Sequence, residues 1–340
     1  MKHFSLLVIA ALFSCCACRE PLPAAEGPHP MMIRFEKDGA EEYFNVAVRD
    51  SVVEDAFIVF RLRHYCDHGE FRYMDLWRID WAYRGLWNAE TSSMTKVLDK
   101  ILTDGESECV VKDYGLLTEN GSFIDTYDFT GGFHGDERID LEPGCGVSFV
   151  MDGQVIPSDK LSASFGWTEC DSFAYEQNST LHKTALKIDG REERSDHHVI
   201  ADHKKTTVFG DGGYETRNTL TMRDEIHFFL YFGICCAGTS VADYGCSADG
   251  KEVRFNRSGA TVLASAASGD YHAWSYYNGT EIYVHSQIDD EQMEKQSRMH
   301  IWDTGNYAKY YRRYPGTGPH KTAPGECFSS YMKVKFKCLW

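Results

Sequence analysis

The densest collection of residues able to do chemistry lies in residues 125–156, DTYDFTGGFHGDERIDLEPGCGVSFVMDGQVI. Gly131, Gly132 and Gly135 surround His134, so the backbone there can take positive φ and leaves the imidazole little side-chain cover. An exposed imidazole can accept or return a proton near neutral pH. Immediately downstream, Asp136, Arg138, Asp140 and Glu142 recur with period 2 and share one face of a strand, opposite Glu137, Ile139 and Leu141. On that face Arg138 can hold an anion, and Asp140 with Glu142 offers a pair of carboxylates. The same pattern also fits a glycine-rich hairpin with a solvated charged face.

A second constellation spans residues 271–287. Asn278-Gly279, flanked by alternating residues, predicts a hairpin with a two-residue type I′ turn. That register pairs Tyr277 with Thr280, Tyr276 with Glu281, Trp274 with Tyr283 and His272 with His285. One face then carries His272, Trp274, Tyr276, Glu281, Tyr283 and His285, and the other carries Ala273, Ser275, Ile282 and Val284. Aromatic rings beside polar groups suit a sugar, which stacks its C–H groups and offers hydroxyls to histidine, glutamate and tyrosine. A second buried core is the competing reading of that face. The third cluster, residues 302–314, gathers Lys309, Arg312 and Arg313 among phenols that include Tyr307, groups suited to a carboxylated substrate.

These residues need strands to position them. Strand signals occur at residues 32–35, 43–48 and 56–63, where Ile58, Phe60 and Leu62 alternate with Arg61 and Arg63. In the next run Trp77, Ile79, Trp81 and Tyr83 fall on one face, opposite Arg78, Asp80 and Arg84. Residues 219–234 read as one long strand, with Ile226, Phe228, Leu230 and Phe232 on one face and His227, Phe229 and Tyr231 on the other. A single helix is predicted after Ser92 or Ser93, with the stripe Met94, Val97, Leu98, Ile101 and Leu102 and with Gly105 beyond its end. The histidine- and lysine-rich residues 183–205 read as a solvated hairpin around Asp189-Gly190. Many short strands, turn residues and one short helix predict an all-β chain, an antiparallel β-sandwich of jelly-roll (concanavalin-like) type.

Residues 1–14 have the charged and apolar regions of a secretory signal, and the apolar run is too short to span a bilayer. Leu12-Phe13-Ser14-Cys15 resembles the lipobox of bacterial lipoproteins, which implies a lipid on Cys15, Cys16 or Cys18 and export to the cell envelope. Residues 15–30 are then a tether and residues 31–340 a single domain. The chain has 35 basic and 51 acidic residues, a formal charge of −16, which argues against nucleic acid as a general partner. Nine of the twelve cysteines lie beyond the N-terminal three, so disulfides are expected, with at least one thiol left over. No CxxC pair or zinc-type His/Cys spacing appears, so the sequence assigns no metal and no cofactor.

Two carboxylate-based or proton-based chemistries fit these parts. Residues 137–142 resemble the acidic strand of laminarinase-type jelly-roll hydrolases, but Glu137 is three residues from Asp140 and so falls on the wrong face. Asp140 and Glu142 remain for a hydrolase reading. The segments Arg138-Ile139-Asp140-Leu141, Glu225-Ile226-His227 and Tyr307-Ala308-Lys309 are similar, in the same order, to the three strand motifs of jelly-roll alginate lyases. Glu225 stands where that family has glutamine, and Arg313 where it has a second tyrosine. The resemblance implies a uronic-acid polysaccharide lyase acting by β-elimination, with His227 as base and Tyr307 or a neighbour as acid. His134 would then neutralise the carboxylate beside Arg138, and Lys309 would join His272, Trp274, Tyr276, Tyr283 and His285 in binding the glycan. A non-catalytic carbohydrate-binding lipoprotein is the alternative that needs only the aromatic hairpin.

Overall fold

The computed structural model describes residues 31–50, 53, 55–68, 73–103, 110–113, 116–117, 123–124, 129–130, 141–142, 144–182, 186–188, 191–193, 199–238, 240–247, 252–255, 261–266 and 270–338. For residues 67–68, 73, 110–142, 186–193, 247, 261–266 and 338, that description covers backbone only.

The chain is an all-β antiparallel sandwich, as its alternating runs predict. One sheet begins as a meander of five consecutive strands, Met31–Asp38, Glu41–Arg49, Ala56–His68, Tyr73–Asn88 and Ser93–Thr103. It continues through His227–Gly238, Tyr307–Tyr314, Arg298–Asp303 and Thr261–Ala266, and Phe165–Cys170 closes its other edge. The second sheet has the order Gln154–Val155, Gly144–Met151, Phe173–His182, Val199–Gly210, Gly213–Met222, Cys327–Cys338, Thr280–Ile288, Asp270–Ser275, Tyr244–Ser247 and Glu252–Arg254.

Aromatic side chains from both inner faces join the sheets. Phe44 of the first sheet lies 4.6 Å from Phe149 and 5.2 Å from Phe173 of the second. Phe60 likewise meets Phe209, Tyr214 and Phe336 at 5.4–5.6 Å. Each fully buried ring of this kind stabilises the fold by about 1.5–3 kcal/mol. Beneath the 270–288 hairpin, Tyr271 stacks on Tyr310 of the opposite sheet, with centroids 5.2 Å apart and planes 7° from parallel.

Three local expectations fail, each for a backbone reason. The predicted helix is instead the strand Ser93–Thr103, whose ladder with Tyr73–Asn88 shifts register twice. Lys100 takes a φ of +49° within it. Those irregularities give the apolar residues a spacing that mimics a helical stripe. Among the described residues the α-helix is Glu291–Gln296, capped by Asp290, whose carboxylate accepts from the Gln292 and Met293 amides.

The Trp77–Tyr83 lane is split by a bulge, because the ladder slips between Arg61 and Leu62. Trp77, Ile79 and Ala82 therefore enter the core, while Trp81 and Tyr83 face outward. One inserted residue is enough to exchange faces. Residues 219–234, expected as one strand, belong to two strands in different sheets, Gly213–Met222 and His227–Gly238. The inward set Ile226, Phe228, Leu230 and Phe232 is nonetheless buried as expected. Past it the strand bulges at Gly233, where φ is +59° and a Cβ would sit 2.7 Å from the Ser286 Cβ.

The expected disulfides do not occur among the described residues: Cys66, Cys145, Cys170, Cys235, Cys236, Cys246 and Cys327 are each outside any disulfide. Cys235 and Cys236 are neighbours on one strand and point to opposite faces, which prevents their pairing. No helix among the described residues is long and apolar enough to cross a membrane.

One histidine of this scaffold sets a pH dependence. His300 stacks on Tyr311 at 5.0 Å, and neither ring nitrogen has a hydrogen-bond partner. Burial, reinforced by the Arg313 charge, pushes its pKa down from 6.5 to about 4. Between those values the unfolded chain takes up a proton that the folded chain refuses. Its contribution to stability is therefore full above about pH 6.5 and is lost progressively as pH falls toward 4. Urea midpoints measured across that window should fall less steeply for His300→Gln than for the wild type. Equal slopes would assign the acid sensitivity to other groups.

Candidate functional site

The outer face of the second sheet around the 270–288 hairpin holds the site. Alternation sets it up: Tyr271, Ala273, Ser275, Thr280, Ile282, Val284 and Ser286 are buried, while His272, Trp274, Glu281, Tyr283 and His285 point outward. The hairpin's register differs from the expected one. Ser275 pairs with Thr280, Trp274 with Glu281, His272 with Tyr283 and Asp270 with His285. The connection is a four-residue loop, Tyr276 to Gly279, in place of a two-residue type I′ turn. A type I′ turn needs positive φ at both central residues, and of the two only Gly279 has it, at +58°. The Asn278 side chain instead donates to the Ser240 carbonyl. A slip of two residues preserves every side chain's face, so the outward set is the predicted one with new cross-strand partners.

Adjacent strands complete the face. On one side Tyr244 pairs with Trp274 and Cys246 with His272. On the other, Lys337 pairs with Glu281, Lys335 with Tyr283 and Lys333 with His285. Glu215 pairs in turn with Lys333. Gly245 permits the close approach of the Tyr244–Ser247 strand, since a Cβ there would lie 2.9 Å from both Phe255 and Tyr271.

The aromatic groups form a continuous row. His272 and Tyr283 stack with centroids 4.1 Å apart and planes 8° from parallel. Trp274 follows 4.7 Å from His272 and 5.8 Å from Tyr244, stacked on the latter within 15°. Tyr276, on the hairpin loop, meets Tyr244 at 5.2 Å. Beside this row is an open hollow of about 270 Å³, lined by Asp270, His272, Tyr283, His285, Lys333 and Lys335 with Cys246.

Its polar groups are paired in ways that fix their orientation. His285 Nδ1 bonds the Asp270 carboxylate, and Lys333 and Lys335 donate to Glu215 and Asp211 respectively. The Tyr283 hydroxyl donates to Glu281 Oε2 at 2.7 Å, and His272 Nε2 lies 3.7 Å from the same oxygen. Burial first, and then the bond to Glu281, push the Tyr283 phenol up to about 12, so it stays protonated. Burial also lowers the His272 pKa against the opposing pull of Glu281, which favours a neutral imidazole. The Glu281 carboxylate therefore lies between the Tyr283 phenol and the His272 ring. The wider arrangement presents a flat ring surface bordered by both donors and acceptors.

The remaining site expectations do not converge here. Tyr307 and Lys309 lie on the first sheet, where Tyr307 packs outward beside Ile234 and Cys236 and Lys309 sits over Tyr311 at 6.0 Å. His227 is on the same sheet, but its register partner is Lys321, while Tyr307 pairs with Gly238. Eleven residue steps of strand from His227 to Gly238, shortened by the bulge at Gly233, separate the expected base and acid by roughly 30–35 Å. No single sugar linkage can reach both. His134, Arg138 and Asp140 lie outside the described residues, as do residues 1–30, and of Glu142 only the backbone is described, paired in parallel with Met74. Sequence reasoning missed Asp270, Lys333 and Lys335. The period-2 run Lys333, Lys335, Lys337 was the available signal, since it places three ammonium groups on one face of the closing strand.

No protein-family model matches the chain, and no curated protein matches it. Several solved structures are similar to it. One is the Slr1438 protein of Synechocystis, with 11% identity and a TM-score of 0.38, covering 93% of this chain and 98% of that one. Another, described as a putative aldose 1-epimerase from Escherichia coli K12, has 12% identity and a TM-score of 0.36 and covers 91% and 100%. A third, a galactose mutarotase-like protein from Lactobacillus casei, has 10% identity and a TM-score of 0.38 and covers 86% and 99%. The last two names are of epimerase and mutarotase type. The separation of His227 from Tyr307 along the first sheet overturns the polysaccharide-lyase expectation.

Proposed function

We propose that the outer face of the second sheet recognises a carbohydrate. The observation that carries this reading is the hollow bordered by the stacked His272–Tyr283 pair, with Asp270, His285, Lys333 and Lys335 at its rim. A sugar ring has one face of C–H groups and an edge of hydroxyls. The ring row meets the first by stacking, and the charged rim meets the second with donors and acceptors. Trp274, Tyr244 and Tyr276 extend the row beyond the hollow, which suits a ligand of more than one sugar unit. Lys333 and Lys335 add tolerance for an acidic sugar, although both are already matched by carboxylates.

The test is calorimetric titration of the full chain with neutral and uronic mono- and oligosaccharides, with tryptophan emission followed in parallel. Binding that strengthens from one unit to three, with a shift in tryptophan emission, is the expected result. Absence of binding across the whole panel would reject the reading.

A further inference from the structure

A second group of side chains, at the far end of the other sheet, has the composition and order of a metal site. His64 and Cys66 are two residues apart on Ala56–His68 and so share a face. Across the ladder Asp75 pairs with Cys66, and Trp77 pairs with His64. One ligand atom each from His64, Cys66 and Asp75 lie within 4.8 Å of one another.

The imidazole is held from two sides. It lies flat on Trp77, with centroids 4.8 Å apart and planes 2° from parallel. Its Nδ1 is 3.0 Å from Glu42 Oε2, and Lys37 donates to the other Glu42 oxygen. A proton on Nδ1 that is donated to Glu42 leaves Nε2 as the lone-pair nitrogen, and Nε2 points at Asp75 Oδ1 from 2.7 Å. A carboxylate behind a histidine whose other nitrogen faces further ligands is the usual support of a metal-bound imidazole.

We propose that His64, Cys66 and Asp75 bind one divalent transition-metal ion of the zinc class, with Glu42 orienting the histidine. Nitrogen, thiolate and carboxylate together suit zinc and disfavour calcium and magnesium, which take oxygen. Tetrahedral zinc keeps its ligand atoms roughly 3.3–3.6 Å apart, so a separation of up to 4.8 Å closes by at most about 1.2–1.5 Å through side-chain rotation. His64 is partly covered while Cys66 is exposed, so the fourth position opens to solvent and accepts water. Binding displaces the Cys66 thiol proton and any proton on His64 Nε2 to solvent. The spacing sought in the sequence was that of knuckles and helices. Here the ligands come from alternate positions of one strand and the position opposite on its neighbour.

The full chain, stripped with a chelator, is titrated with cobalt(II) and then zinc(II). One ion per chain, a thiolate-to-cobalt charge-transfer band and its loss on adding zinc are expected. Cys66→Ser should abolish the band, and Asp75→Asn should weaken binding. Glu42→Gln should weaken it by about 10–100-fold while keeping the band. Circular dichroism of each variant confirms the fold, and Cys66 and Asp75 are both accessible enough to change without disturbing it. No stoichiometric binding by the folded wild type would overturn the proposal. So would a charge-transfer band that survives in Cys66→Ser, because the ion would then be held by another thiol.

Discussion

Tyr283→Ala is expected to keep its fold and to lose sugar affinity by roughly 1–3 kcal/mol, a factor of about 5 to 150, as a central aromatic anchor does. The residue is 39% exposed and lies on the outward face of its strand, so its loss leaves the core between the sheets intact. What goes is the outer half of the His272–Tyr283 stack and the phenol that donates to Glu281. Trp274→Ala should weaken binding of oligosaccharides more than of single sugars, because Trp274 borders the hollow without lining it. Tyr277 is 88% exposed at the hairpin tip and serves as the control, with no expected change on replacement by alanine. The measurement is calorimetry at matched salt, with thermal melts of each variant. Wild-type affinity in a folded Tyr283→Ala would place the sugar elsewhere. A variant that fails to fold would show that the row is core.

The part of this site that the sequence displays is the part that depends on parity alone. Strict alternation from Tyr271 to His285 assigns each side chain to a face, and a two-residue slip leaves that assignment intact. The partner assignments depended on turn geometry, and Asn278-Gly279 was outcompeted by the bond from Asn278 to the Ser240 carbonyl. Parity also explains the failures. The bulges near Asp80 and Gly233 each insert one residue, and nothing in the types of Trp81 or Ile234 marks the exchange of faces. The helix expected after Ser92 came from a spacing that an irregular strand reproduces. Long-range placement was beyond periodicity altogether. His227 and Tyr307 fall on motifs in the right order along the chain, but the ladder register carries them to opposite ends of one sheet. Lys333 and Lys335 reach the hollow only because the last strand inserts between Gly213–Met222 and Thr280–Ile288.

Glu294→Ala should be among the most damaging single changes, because it strands a buried guanidinium. Arg312 is fully buried between the sheets. Its Nη2 donates to Glu294 Oε1 at 2.5 Å and to the Ser297 hydroxyl, and Nη1 reaches the Ser286 carbonyl at 3.4 Å. The other Glu294 oxygen accepts the Ile288 amide at 2.8 Å. The short helix Glu291–Gln296 thus supplies the counter-charge and ties down the strand that carries Tyr283 and His285. Removing one partner of a buried pair costs about 3–5 kcal/mol, and the 30% exposure of the Glu294 side chain puts this case near the lower figure. Replacing both charges, as Arg312→Met with Glu294→Leu, should recover much of the loss, since no unpaired charge then stays buried. Denaturant melts of both variants beside the wild type decide it. A Glu294→Ala protein within about 1 kcal/mol of wild type would mean that water reaches Arg312, and that the strand beneath the sugar face is held by its aromatic contacts alone.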